Sequence, residues 1–157
     1  MTDQIEDTAD VRQSIEVNAA PPRAFDVFTD QIDRWWPAGV HVLPGEDVRT
    51  GVEPFVGGRV WEEDAAGRTC TWGRVLTWEP PHRFAFAWLL GPDFAVPAPG
   101  TEGSRVTVTF TGTERGTRVD LVHDRLEAHG DQWQALRAAV RSDGGWPLLL
   151  AEFAAAV

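Results

Sequence analysis

Residues 105–124 read RVTVTFTGTERGTRVDLVHD, and the reading of this stretch decides the fold. Val106, Val108 and Phe110 alternate with Thr107, Thr109 and Thr111; beyond Arg115-Gly116, Val119, Leu121 and His123 take one side of a second run. A period of two marks a half-buried strand, and the glycine between the runs predicts a hairpin of 105–113 with 117–124. Upstream, Phe84, Phe86, Trp88 and Leu90 share one side of 83–90. These three apolar stripes predict the concave, covered face of an antiparallel sheet.

The rest of the sheet follows from turn residues. Gly57-Gly58 separates Phe55 from a strand at 59–64, Ala66-Gly67 turns the chain into 68–78, and Pro80-Pro81 stops it. The segment 91–103 holds Pro92, Pro97, Pro99 and Gly100 and predicts a long loop. Residues 11–18 alternate as a first strand, with Val11, Ile15 and Val17 on one side. Pro21-Pro22 then opens a helix whose inward face is Phe25, Phe28 and Ile32, closed by Trp35-Trp36-Pro37. Two helices end the chain. Asp131 is the expected cap of one bearing Trp133, Leu136 and Val140, and Ser142 or Asp143 of the last. In that last helix Trp146, Leu149, Leu150, Phe153 and Ala154 form one apolar stripe. The class is α+β, with residues 1–10 a disordered lead-in and 11–157 one domain.

Composition narrows the function classes. The chain has 157 residues, eight Trp, eight Phe and no Tyr, so planar rings dominate whatever core forms. Asp and Glu outnumber Lys and Arg by 24 to 14, the wrong balance for nucleic acid. The longest apolar run, 84–90, falls far short of the ~20 residues of a membrane span. No charged-then-apolar leader opens the sequence, and the single Cys70 suits a reducing compartment. A cytoplasmic protein is expected. The histidines, His41, His82, His123 and His129, show no ligand spacing and nothing implies a cofactor or metal.

Ordered motifs carry a resemblance. Val17-Asn18-Ala19-Ala20-Pro21 leads into Phe25 and Phe28, followed by Trp35-Trp36-Pro37, Gly57-Gly58-Arg59 and Trp72-Gly73-Arg74-Val75. Then come Trp78-Glu79-Pro80-Pro81-His82-Arg83 with Trp88, Thr117-Arg118-Val119 running to His123, and Gly145-Trp146 with Leu149, Leu150 and Phe153. The series resembles the START-like, or helix-grip, superfamily, in the branch similar to the C-terminal domain of activators of the heat-shock-protein-90 ATPase. The resemblance implies a curved antiparallel sheet wrapped around a long C-terminal helix, two short helices after the first strand, and a cavity between sheet and last helix.

Several functions fit that scaffold. The first is binding of a small apolar or aromatic molecule, walled by Phe86, Trp88, Phe110, Leu121 and Trp146 with Trp35 or Trp36 at the entrance. Trp61 and Trp72 belong to the same aromatic set; each ring is alternatively plain core. His123 is either a polar handle in the cavity or a core histidine met by a neighbour. The second is a chaperone-activator-like interaction domain without a ligand, and exposed strand edges also permit a homodimer. The third is a cofactor-free enzyme in which His123 and an inward Glu62 do acid–base work; Glu62 on a solvated edge is the plainer expectation. A binding role is favoured over an enzymatic one.

Overall fold

The computed structural model describes residues 9–98 and 100–157. Residues 1–8 of the expected lead-in lie outside the described residues, while the Ala9 carbonyl accepts a hydrogen bond from Arg137 Nε at 3.2 Å. The chain runs β1 (Val11–Val17), α1 (Pro21–Phe28), 3₁₀ turns at Ile32–Arg34 and Ala38–Val40, β2 (Arg49–Val52), β3 (Arg59–Glu63), β4 (Thr69–Glu79), β5 (Arg83–Trp88), β6 (Ser104–Gly112) and β7 (Thr117–Asp124). A 3₁₀ stretch at Leu126–Gln132, α2 (Trp133–Arg141) and α3 (Trp146–Ala156) complete it.

Seven strands form one antiparallel sheet in the order β1-β7-β6-β5-β4-β3-β2. Its registers set Val106 opposite His123 and Trp88 opposite Ser104. Irregularities after Val60 and Val75 break the ladder, and such bulges bend strands and sharpen twist. The sheet therefore curls, and its inner face carries the three stripes read from the sequence. Phe84, Phe86, Trp88, Val106, Val108, Phe110, Val119, Leu121 and His123 are all buried.

Helix α3 fills the grip. Its Trp146 meets Trp88 of β5 with ring centroids 5.5 Å apart, and Phe153 meets Phe28 of α1 at 5.1 Å. The fold is the helix-grip expected, but the gripped helix has 11 residues, about 16 Å, and is shorter than the sequence suggested. Ile32 also leaves α1, because the helix ends at Phe28 and Thr29 turns its hydroxyl onto the Phe25 carbonyl at 2.8 Å. Phe25, Phe28 and Ile32 nonetheless all point inward.

The expected caps do not form. Gln132 and Gly145 stand at the N-caps of α2 and α3, neither with a side-chain bond. At α2 the 3₁₀ stretch Leu126–Gln132 runs straight into the helix and takes Asp131 into it; at α3 the reversal is tight, and Gly145 N–H donates to the Ser142 carbonyl at 2.8 Å. A β-carbon on Gly145 would run into the backbone of Val140 and Ala139. We expect Gly145→Ala to lower stability by about 1–3 kcal/mol, as overpacking of a rigid site does, measured by urea unfolding.

Candidate functional site

Four indoles form a closed ring on the inner face of the sheet. Trp36 lies 5.1 Å from Trp72, Trp72 5.6 Å from Trp88, Trp88 5.5 Å from Trp146, and Trp146 6.5 Å from Trp36. Trp72 and Trp88 come from β4 and β5, Trp146 from the first turn of α3, and Trp36 from the segment that crosses the sheet after α1. The deep interior is filled. Phe25, Phe28, Phe84 and Phe110 pack edge to face or tilted behind this ring.

The cavity expected beneath the last helix is occupied by these rings; a concavity of about 260 Å³ lies instead at the reversal between α2 and α3, walled by Val140, Gly144-Gly145, Trp146, Leu149, Val40 and Phe94, with Trp88 the one sheet residue at its floor. No charged side chain lines it. Phe94 stands at φ 53° with its ring 5.7 Å from Trp88. A bulky residue in the left-handed region costs about 1–2 kcal/mol, so packing over Trp88 holds this wall in place against local strain. A larger concavity of about 450 Å³ lies elsewhere, between α1 and the end of β4, with Phe25, Trp78 and four prolines beside Asp26 and Asp30. It has no contact with α3.

His123 is buried behind the mouth, not in it. Trp146 Nε1–H donates to its Nδ1 at 3.0 Å; an indole nitrogen can only donate, so Nδ1 is the acceptor and Nε2 carries the proton. Nε2–H then donates to Ser104 Oγ at 2.7 Å, which leaves the Ser104 hydroxyl proton for His129 Nε2 at 2.8 Å. The imidazole positions Trp146 and has no free nitrogen for a guest.

Glu62 corrects the expectation of a solvated edge. It is 0 % exposed and faces inward with Val60, and its oxygens accept Val42 N–H at 2.9 and 3.0 Å and Leu43 N–H at 2.9 Å. That bond fastens the crossing segment, whose Gly39 and Val40 wall the cavity. Strands β3 and β7 are four places apart in the sheet, about 19 Å along it at ~4.8 Å per strand. Glu62 and His123 form no acid–base couple.

The other sequence candidates fall out as follows. Trp88 and Trp146 line the cavity; Trp36 and Trp72 stand one ring behind it; Phe86, Phe110 and Leu121 are buried beneath. Trp35 is also buried, donating to the Val27 carbonyl at 2.8 Å. Trp61 lies on the opposite face from Val60 and Glu62, against Gly51. Sequence reasoning missed Val40, Phe94 and Gly144. An isolated aromatic in a proline-rich loop was the available signal for Phe94. Among the described residues, three buried side-chain polar atoms have no partner: Trp36 Nε1, Trp72 Nε1 and His41 Nε2. Cys70 is buried, and desolvation, then Glu62, raise its pKa, which disfavours a reactive thiolate.

Burial holds His123 neutral, its pKa lowered to about 3, with His129 pushing the same way and Asp124 opposing. His129 is lowered too, by burial. In the unfolded chain the imidazole returns to 6.5, so below that value the unfolded state binds a proton the fold refuses. Stability is full above about pH 6.5 and falls toward about pH 3. We expect a loss of up to about 1.4 kcal/mol per pH unit from His123 between about pH 6.5 and 5, removed in His123→Gln, by urea titration at each pH. Glu62→Ala should cost about 1–3 kcal/mol by unpairing two half-buried N–H groups and speed amide exchange at Val42 and Leu43.

Residues 18–157 match the family described as Activator of Hsp90 ATPase homolog 1-like protein. No curated protein matches the chain. Among solved structures, the anthrahydroquino-gamma-pyrone synthase Txn09, complexed with SUM, is 36% identical with a TM-score of 0.66, over 97% of this chain and 99% of that one. The self-sacrificing resistance protein CalC from Micromonospora echinospora is 26% identical with a TM-score of 0.64, over 94% and 92%. Protein Ms6760 from Mycobacterium smegmatis, 21% identical with a TM-score of 0.65 over 96% and 91%, shares the fold. No helix among the described residues is long and apolar enough to cross a membrane.

Proposed function

We propose that this chain, which belongs to the Activator of Hsp90 ATPase homolog 1-like family, takes a small flat apolar or aromatic molecule into the cavity at the α2–α3 reversal, in the cytoplasm. One observation carries the reading: an uncharged cavity walled by two indoles, Trp88 and Trp146, and roofed by the strained Phe94. Its 260 Å³ falls just under the roughly 300–1,000 Å³ of small-molecule pockets. One or two fused rings fit. That a 36% identical relative is a gamma-pyrone synthase solved with a bound compound supports a fused aromatic guest.

Burying about 200 Å² of apolar guest supplies about 5 kcal/mol before association costs. A bare hydrocarbon should therefore bind weakly, and polar contacts must add the rest. A second reading is a domain that docks on a chaperone or on its own copy. The family description and the exposed Phe55 and Val56 beside the Gly57 turn support it.

Gly144 offers a clean test, since a β-carbon there meets nothing within 4 Å. We expect two-ring aromatics to quench tryptophan fluorescence in the wild-type chain. Gly144→Phe should fill the mouth and weaken that binding by about tenfold or more, as removal of some 60 Å² of guest contact requires, with the melting temperature unchanged. Absence of quenching by any such compound would favour the docking reading.

A further inference from the structure

We propose that the concavity of about 450 Å³ beside α1 is a second binding site, for a small organic cation that carries an ammonium group on an apolar or aromatic frame. It shares no lining residue with the cavity at the α2–α3 reversal, and the proposal does not depend on the binding reading above.

The walls are fixed before any guest arrives. Pro22 in the first turn of α1, Pro54 between β2 and β3, and Pro80-Pro81 between β4 and β5 supply three sides. Proline holds φ near −65°, so these segments have little backbone freedom to close the space. The remaining surface is aromatic. The register break after Val75 sets Trp78 opposite Phe84, at the open end of the inner face, where the indole stays half-buried. Phe25 meets that ring edge-on at 5.1 Å and Phe84 at 5.7 Å, which holds it in place. The volume falls within the roughly 300–1,000 Å³ of small-molecule pockets.

Charge selects the guest. Asp26 and Asp30 line the concavity, and no Lys, Arg or His does. Neither carboxylate forms an ion pair among the described residues; Asp26 accepts a hydrogen bond from Gln31 Nε2 at 2.8 Å. The Thr29 hydroxyl already donates to the Phe25 carbonyl at 2.8 Å, which leaves the carboxylates as the groups that set the sign of the guest.

The position of the two aspartates is the second argument. Asp26 sits in the last turn of α1 and Asp30 two residues beyond it, and that turn holds no basic residue. The C-terminal end of a helix favours cations and disfavours carboxylates, so this arrangement costs stability. Breaks with a local rule of this kind gather at functional sites. A bound ammonium would relieve the repulsion, rest its carbon frame on Val52 and the prolines, and gain the attraction of the Trp78 ring for positive charge. An anion would meet both carboxylates and no counter-charge.

Three probes on one benzyl frame test this on the full chain: benzyltrimethylammonium, benzyl alcohol and phenylacetate. We expect the cation to bind about fivefold to tenfold more tightly than the alcohol at low salt, with phenylacetate weakest. The cation's advantage should shrink as sodium chloride is raised, because Asp30 is exposed. The Trp78 indole resonance should move on titration with the cation while those of Trp88 and Trp146 stay in place. Asp30→Asn should weaken cation binding about threefold, leave benzyl alcohol binding unchanged, and not lower the melting temperature. Equal affinity for cation and alcohol, no binding of the cation, or an Asp30→Asn chain that holds it as tightly as the unmutated protein overturns the proposal. Movement of the Trp88 and Trp146 resonances alone also overturns it, and leaves the reading of the other cavity standing.

Discussion

The contact between Trp88 and Trp146 is the constraint around which the inner face is organised. Trp88 is the last residue of β5, Trp146 the first of α3, and their rings meet at 62°. Such an arrangement sets the positive edge of one indole on the negative face of the other. Each ring is also locked by its own N–H, Trp88 to the carbonyl of Leu90 and Trp146 to His123 on β7. The start of α3 is thus tied to two strands by a ring contact and a hydrogen bond. From there the helix can only run across the concave face toward Phe28. The Ser104 hydroxyl, shared between His123 and His129, extends the tie to β6 and the half-buried segment after β7.

Much of this was legible in the residues because alternation encodes sidedness directly. The stripes 84–90, 106–110 and 119–123 required no tertiary knowledge to assign to one face. His123 inherits its burial from Val119 and Leu121. What alternation cannot encode is depth. Phe110 and Trp88 read alike in sequence, yet Phe110 ends beneath Phe25 and Phe28 while Trp88 faces the cavity. The difference is set by which residues of α1 and α3 lie above them, a contact between segments distant in the chain. Trp61 failed to join the set for a simpler reason. Its own strand gave two possible faces, and the inward one went to Val60 and Glu62.

Glu62 is the instructive surprise. A lone glutamate beside Val60 and opposite Cys70 looks like an edge residue because burying an unpaired carboxylate is costly. Its partners are backbone groups of residues 42 and 43, about twenty positions upstream, and backbone N–H groups leave no trace in a sequence pattern. The same bond explains how an irregular segment with only 3₁₀ turns can cover the sheet at all. Asp33 does similar work, accepting Thr50 N–H at 2.9 Å. The crossing segment is thus fastened by carboxylate–backbone bonds in both directions, Glu62 on β3 to the segment and Asp33 of the segment to β2.

That construction bears on what the cavity can select. Its deep side is rigid, because rings packed on rings can be displaced only by moving several neighbours together. Its outer side is formed by the loop residues Gly39-Val40 and Phe94, whereas Gly145 is fixed by the tight reversal before α3. A guest would therefore be measured in depth by the indole ring and in width by loops that can yield. The net charge of −10 adds a long-range bias against anions reaching the mouth, and the uncharged lining adds a short-range one against any ion entering it. On the proposed binding role, a lining of this kind would disfavour charged guests and leave shape and hydrogen bonding to discriminate among neutral ones.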